Sequence, residues 1–279
     1  MIGSAHTGRM NPAPLRAALA CLLLPLALAA GEGLPADLQV FLLIGQSNMA
    51  GRGVVEAQDR VPHPRVFMLT KELAWVPAVD PMHFDKPERI GTGLGKTFGA
   101  VLATADPGAV IGLVPAAFGS TTLDEWAPGQ PHYANAVARA KEALKHGKLA
   151  GILWHQGEAD SAPAQVATYQ VRFAKMIAQL RADLDAPDVP VVVGETGRFR
   201  ADGAAINAVL AQLPGFVPRC AFVSAEGLGD KGDKIHFDSA GLRELGRRYA
   251  AAWQELNAPV TMLKPVMVAP KREPTTNGH

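Results

Sequence analysis

The sequence predicts an α/β domain in which a parallel sheet of about five strands carries helices on both faces. Three observations lead there. Five apolar runs are nearly continuous where half-exposed strands would alternate, as strands buried on both faces require. Helix-length amphipathic segments stand between them, and regular strand–helix alternation marks parallel crossover units. No internal repeat and no long linker divides the series, so one domain accounts for it.

In chain order, the first run is VFLLIG at 40–45, which breaks off at a glycine and gives way to Gln46-Ser47-Asn48. A helix follows at roughly 93–104, then the run AVIGLVPA at 109–116, a helix at 133–147, and LAGILWHQG at 149–157. A long helix at 163–184, VPVVVGE at 189–195, a helix at 204–213, CAFVSA at 220–225 and a closing helix at 239–256 complete the domain, placed at 31–256. From 257 to 279 the chain turns Pro-rich and then polar, and reads as a loosely structured tail.

The other end has a different pattern. AALACLLLPLALAA at 17–30 follows Arg9 and Arg16 and ends in small residues, a secretory signal over 1–30. The stretch is shorter than the about 20 residues a membrane-spanning helix needs. The expectation is export to the periplasm or medium, with no stable membrane insertion after cleavage. Without 1–30 the chain holds 25 basic and 26 acidic residues, a balance that gives nucleic acid no basic footprint. Cys21 leaves with the signal and Cys220 stands alone, so no internal disulfide forms.

Ligands of open parallel sheets bind beyond the carboxyl ends of the strands. Ser47 follows the first run, Gly119-Ser120 the second, His155-Gln156-Gly157-Glu158 the third and Glu195 the fourth. A serine attacks a carbonyl carbon only when a base takes its proton. His236 is the best base, and Asp233, three residues earlier, can hold the far imidazole nitrogen. Asp238 competes with Asp233, as a cap for the last helix. The oxyanion formed by attack needs donors, for which the candidates are the Ser47 N–H, the Gly119 N–H and the Gln156 amide. Gln46 and Asn48, which frame the serine, and Glu158 and Asp160, which follow Gln156, are supporting residues.

Each residue alone has a plainer reading. Ser47 can be a helix cap, His236 a satisfied structural histidine, Asp233 a solvated loop carboxylate. Other motifs fail on spacing. GTGLGKT at 91–97 is one residue short of a phosphate loop and follows no strand. Met49 stands where a Gly-x-Ser-x-Gly elbow has its second glycine. His155 and Asp160 find no metal-ligand partners, and Glu158 with Asp160 sit too close in sequence for paired glycosidase acids. No metal or organic cofactor is expected.

Four blocks, GQSNMAGRG (45–53), AAFGSTTLDEW (116–126), WHQGEAD (154–160) and DKIHFDSAGLRELGRRYA (233–250), resemble, in order, the signature blocks of the sialate O-acetylesterase-like domain. That domain includes the acetylxylan esterases of carbohydrate esterase family 6 and lies within the SGNH hydrolase superfamily. The resemblance spans roughly 38–253. It implies a flavodoxin-like, three-layer α/β/α sandwich and a serine esterase that removes O-acetyl groups from carbohydrates through an acyl-enzyme. Ser47 matches the family nucleophile, Asp233 and His236 its Asp-x-x-His pair, and Gly119 its oxyanion glycine. Gln156 stands where much of the superfamily has asparagine. Glu158 and Asp160 match acidic positions that brace the loop or the serine. Phe118-Gly119 replaces the frequent pair of glycines.

An SGNH-type lipase or general short-chain esterase is one alternative, and a catalytically silent carbohydrate-binding protein another. The loops at 56–92 and 120–135 are expected to shape the pocket. A sialic acid carboxylate would call for a basic contact such as Arg52 or Arg198, and neutral xylan for an aromatic platform such as Trp75 or Trp126. The sequence does not reveal the oligomeric state.

Overall fold

The computed structural model describes residues 1–3 and 37–258. The signal expected at 1–30 lies outside them but for its first three residues, and the tail expected at 257–279 but for its first two. The chain divides into Met1–Gly33 and Leu34–His279, and the second unit contains the sheet.

Its elements in order are β1 (Leu38–Gly45), α1 (Ser47–Ala50), β2 (Val66–Leu69), β3 (Trp75–Pro77), α2 (Gly95–Ala105), β4 (Ile111–Pro115) and α3 (Pro131–Ala143). Then come β5 (Gly147–His155), α4 (Pro163–Val166), α5 (Tyr169–Asp183), β6 (Val191–Gly194), α6 (Ala204–Gln212), β7 (Cys220–Val223) and α7 (Ser239–Asn257). The sheet order is β3-β2-β4-β1-β5-β6-β7. Every pairing is parallel except that of β3 with β2. The five expected strands are β1 and β4 to β7. The sheet has seven because β2 and β3 form an edge hairpin too short to register as apolar runs. Pro77 ends β3 at the sheet edge, where a missing N–H costs no ladder bond.

The near-continuous apolar character of β1 comes from burial on both sides. Leu38, Val40, Leu42 and Ile44 enter one core with Ala136, Phe173, Met176, Ile206 and Leu210. Phe41 and Leu43 enter the other, with Phe98 and Leu102 of α2 and Leu245 and Tyr249 of α7. The three layers follow directly, and each fully buried large apolar side chain contributes about 1.5–3 kcal/mol. The helix expected at 163–184 is divided into α4 and α5. The one expected at 133–147 stops at Ala143, because Gly147 opens β5. Asp238 caps α7, accepting the Gly241 N–H at 2.7 Å, which leaves Asp233 for another task.

In this order β1 lies at the centre between β4 and β5. The chain lays β2, β3 and β4 on one side of β1 and then crosses to lay β5, β6 and β7 on the other, so the crevice at the carboxyl ends beside β1 is a topological switch point.

Candidate active site

The glycine that ends β1 has a steric cause. Gly45 lies at φ 129°, and a Cβ there would collide with the His155 backbone, so only glycine lets the chain turn off the sheet this close to β5. The turn is held by the Gln46 N–H donating to His155 O at 2.9 Å, and it delivers Ser47 as the first residue of α1.

Ser47 meets a histidine that arrives from the far end of the chain. His236 Nε2 stands 3.1 Å from Ser47 Oγ, and His236 Nδ1 stands 2.7 Å from Asp233 Oδ2. The other Asp233 oxygen accepts the backbone N–H groups of Ile235 and His236 at 2.9 and 2.8 Å. Burial pushes the Asp233 carboxyl up, but the His236 ring and these two N–H groups outweigh it and hold the group well below the usual carboxylate range. A carboxylate on Nδ1 keeps the hydrogen there and leaves Nε2 as the acceptor toward Ser47.

Asn48 fastens the two halves. Its Nδ2 donates to Ile235 O at 3.2 Å and its Oδ1 accepts the Phe237 N–H at 3.2 Å, so one side chain grips the backbone on both sides of His236. The same Nδ2 donates to Glu158 Oε1 at 2.6 Å. Glu158 Oε2 and Gln46 Oε1 are buried without hydrogen-bond partners among the described residues.

The expectation that Gln156 donates to an oxyanion is corrected. Its amide is fully buried, and Nε2 gives its two hydrogens to Thr121 O at 3.0 Å and Asp160 Oδ2 at 2.6 Å, while Oε1 accepts from Tyr169. Asp160 organises this corner, accepting the Leu123 N–H at 2.8 Å and pairing with Arg172 at 2.9 Å. Gly119 does lie beside Ser47, but its N–H is engaged by Asp85 Oδ2 at 2.8 Å. Asp85 is in turn paired with Arg52 Nη2 at 2.6 Å, and the side chains of this pair are 0% and 3% exposed. The reading of the sequence missed Asp85. Nothing in MHFDKPER distinguishes it, since the contact spans 34 residues from an irregular loop.

A pocket of about 350 Å³ opens beside Ser47, Asp233 and His236, walled by Arg52, Lys86, Arg89 and Lys231 with Glu88. Arg198 lies elsewhere, paired with Glu195. Trp126 is buried at 1% exposure with its indole N–H on Thr121, and Trp75 packs over Gly112. Neither is a platform on this pocket. A roomier cleft of about 730 Å³ lies at the amino ends of the strands, around Gln39 and Lys148, and holds none of the expected site residues. Among the described residues no group of three His, Cys, Asp or Glu is placed to hold a metal ion, and no helix is long and apolar enough to cross a membrane.

A mostly parallel sheet between two helical layers, with a serine, a histidine and a carboxylate in hydrogen-bonded series at its carboxyl rim, defines a class, α/β/α proteins that carry the side-chain series of serine hydrolases. Comparison with known proteins narrows it. The family model described as carbohydrate esterase, sialic acid-specific acetylesterase, matches residues 37–255. Probable carbohydrate esterase At4g34215 of Arabidopsis thaliana is 33% identical over 236 residues, covering 77% of this chain and 90% of that protein. The X-ray structure of that Arabidopsis protein superposes with a TM-score of 0.73 at 29% identity, over 79% of this chain and 99% of the other. The crystal structure of NanS, at 20% identity and a TM-score of 0.65 over 79% and 98% of the two chains, shares the fold. The chain therefore belongs to the carbohydrate esterase family of sialic acid-specific acetylesterases, and by class it is a carboxylic ester hydrolase.

Proposed function

We propose that the protein removes O-acetyl groups from exported or extracellular carbohydrates by serine catalysis through an acetyl-enzyme. The observation that carries this reading is the series Ser47 Oγ, His236 Nε2, His236 Nδ1 and Asp233 Oδ2, with spacings of 3.1 and 2.7 Å. His236 takes the Ser47 proton as Oγ bonds to the acetyl carbon, and the carbonyl electron pair moves onto oxygen. Asp233, kept ionised, stabilises the imidazolium without taking its proton. Collapse expels the sugar oxygen, which receives that proton from His236. Water, deprotonated by the same nitrogen, then releases acetate and restores Ser47. The Ser47 N–H, at the start of α1, makes no hydrogen bond among the described residues and is a donor for the oxyanion.

The walls favour an acidic acetylated sugar over a neutral one. Lys86, Arg89 and Lys231 border the pocket, and no tryptophan does. Export, expected from 17–30, places the enzyme where such glycans occur.

The test is acetate release from acetylated sialic acid and acetylated xylan, and hydrolysis of 4-nitrophenyl acetate and octanoate, by the wild type and Ser47→Ala. Acetyl-selective turnover that vanishes in the variant, fastest on the acidic sugar, is expected. Equal residual rates in both proteins would overturn the serine mechanism, and preference for octanoate would overturn the substrate class.

A further inference from the structure

The hydrogen-bond inventory leaves the proposed site short of a donor. An oxyanion hole works by aiming two or more preorganised donors at the developing charge, and losing one costs roughly 10²- to 10³-fold in kcat. Of the three donors the sequence suggests, the Gln156 amide is spent on Thr121 and Asp160, and the Gly119 N–H is spent on Asp85. The Gly119 peptide is also held from its other side, since Lys86 Nζ reaches Gly119 O at 3.4 Å and Ser120 Oγ at 3.3 Å. Only the Ser47 N–H is left.

One buried cation stands beside that gap. A Cβ built on Gly119 would lie 2.6 Å from Arg52 Nη2 and 3.5 Å from Ser47 Cβ, so the guanidinium and the serine flank the same α-carbon and both line the pocket. The guanidinium is fixed in place: Nη1 donates to Gly51 O at 2.9 Å, and the two terminal nitrogens face the two Asp85 oxygens at 3.5 and 2.6 Å. These contacts use three of its five N–H bonds. The Nε–H and one Nη2–H have no acceptor among the described residues. The other cations of the pocket are less suited, because an ammonium on a mobile stem is not preorganised and Arg89 is exposed.

We propose that Arg52, oriented by Asp85, is a catalytic residue that donates to the acyl oxyanion in place of Gln156 and Gly119. Asp85 is then a positioning residue: it neutralises the buried guanidinium and turns its unspent N–H bonds toward Ser47. This inference rests on the serine-esterase reading, and the experiment separates the two.

The substrate is 4-nitrophenyl acetate, which has no carboxylate, so a loss cannot reflect recognition of an acidic sugar. Arg52→Ala alone would strand a buried Asp85 charge and threaten the fold, so the variant is Arg52→Ala with Asp85→Asn, beside Arg52→Lys and Ser47→Ala. The expected result is a fall in kcat of roughly 10²- to 10³-fold in the double variant with KM within a few-fold, partial recovery on adding guanidinium at sub-denaturing concentration, and an intermediate kcat for Arg52→Lys. A folded double variant with wild-type kcat, a loss confined to KM, or a kcat that guanidinium leaves unmoved would overturn the assignment while Ser47-dependent turnover keeps the esterase reading. Absence of Ser47-dependent turnover in the wild type would remove both.

Discussion

Replacing Asn48 by alanine should damage stability and catalysis together, because one side chain joins the serine turn to the histidine loop. The change removes three hydrogen bonds, to Glu158 Oε1, to Ile235 O and from the Phe237 N–H. A buried group left without its partner costs about 1–3 kcal/mol, and the half-exposed Ile235 side of the network lowers the total, so the expected destabilisation is about 3 kcal/mol. His236 then loses its grip on both flanks. Drift of its ring from the 3.1 Å contact with Ser47 should reduce kcat at least tenfold, which corresponds to about 1.4 kcal/mol of barrier. Urea unfolding gives the first quantity as a shift of midpoint at constant slope, and turnover of 4-nitrophenyl acetate by the folded fraction gives the second. Asn48→Asp sharpens the test. It sets a carboxylate against Glu158 across a 2.6 Å contact, so it should be worse than alanine at alkaline pH and recover toward acid as the pair takes up one proton. Adding Glu158→Gln restores a donor–acceptor pair and should recover part of the loss. An Asn48→Ala protein with wild-type midpoint and kcat would refute the reasoning, as would a double variant no better than Asn48→Asp.

Two further outcomes follow from other contacts. Gly119→Ala places a methyl group 2.6 Å from Arg52 Nη2 and 2.8 Å from Asp85 Oδ2, so turnover should fall at least tenfold with a modest loss of melting temperature; unchanged kcat would mean that the pair can retreat without consequence. Burial first, and the Asp59 charge second, push the Asp80 carboxyl up to about 8 from an ordinary 3.8. The folded protein thus holds this group neutral where the unfolded chain ionises it. Its contribution to stability is complete below the unfolded value and is lost as pH rises through the folded one, with a decline from about pH 4 to about pH 8. Asp80→Asn, which keeps an acceptor for the Gly93 N–H, should flatten that decline and raise the melting temperature at pH 7 to 8; parallel melting curves across the range would sink the claim.

What the sequence revealed, and what it hid, divides by how local the signal is. β1 and β4 to β7 were legible because both their faces are buried, while β2 and β3 are too short to carry a pattern. Asp233 and His236 sit three residues apart, so their contact is nearly a property of the segment, and the strand-end rule brings Ser47 to the same rim from 189 residues away. The choice between Asp233 and Asp238 was open until α7 claimed Asp238. Gln156 was misread because a residue just past a strand end can turn outward or inward. The acid four residues on, Asp160, takes its amide, and Tyr169 takes its oxygen. Asp85 could not be found, since its partners Arg52 and Gly119 are 33 and 34 residues away on different elements.

The carboxylates of the site are sorted by whether their partners keep their charge. Asp85 and Asp160 are sealed from solvent, and each faces a permanent cation, Arg52 or Arg172, together with a backbone N–H. An ionised group survives burial only with such constant compensation. Asp233 has as its close partner His236, whose charge comes and goes through the proposed cycle, and only a half-exposed Lys231 Nζ at 3.6 Å as a constant cation. Full burial would leave it with that longer contact alone whenever His236 is neutral, and its side chain accordingly remains 35% exposed and accepts two backbone N–H groups. Solvent, backbone and Lys231 thus carry the carboxylate through the part of the cycle in which the imidazole cannot. Glu158 fits neither pattern: one oxygen rests on Asn48 and the other has no partner among the described residues. Among the described residues no Lys or Arg side chain forms an ion pair with it, so Asn48 is the group whose loss the rest of the network is least able to absorb.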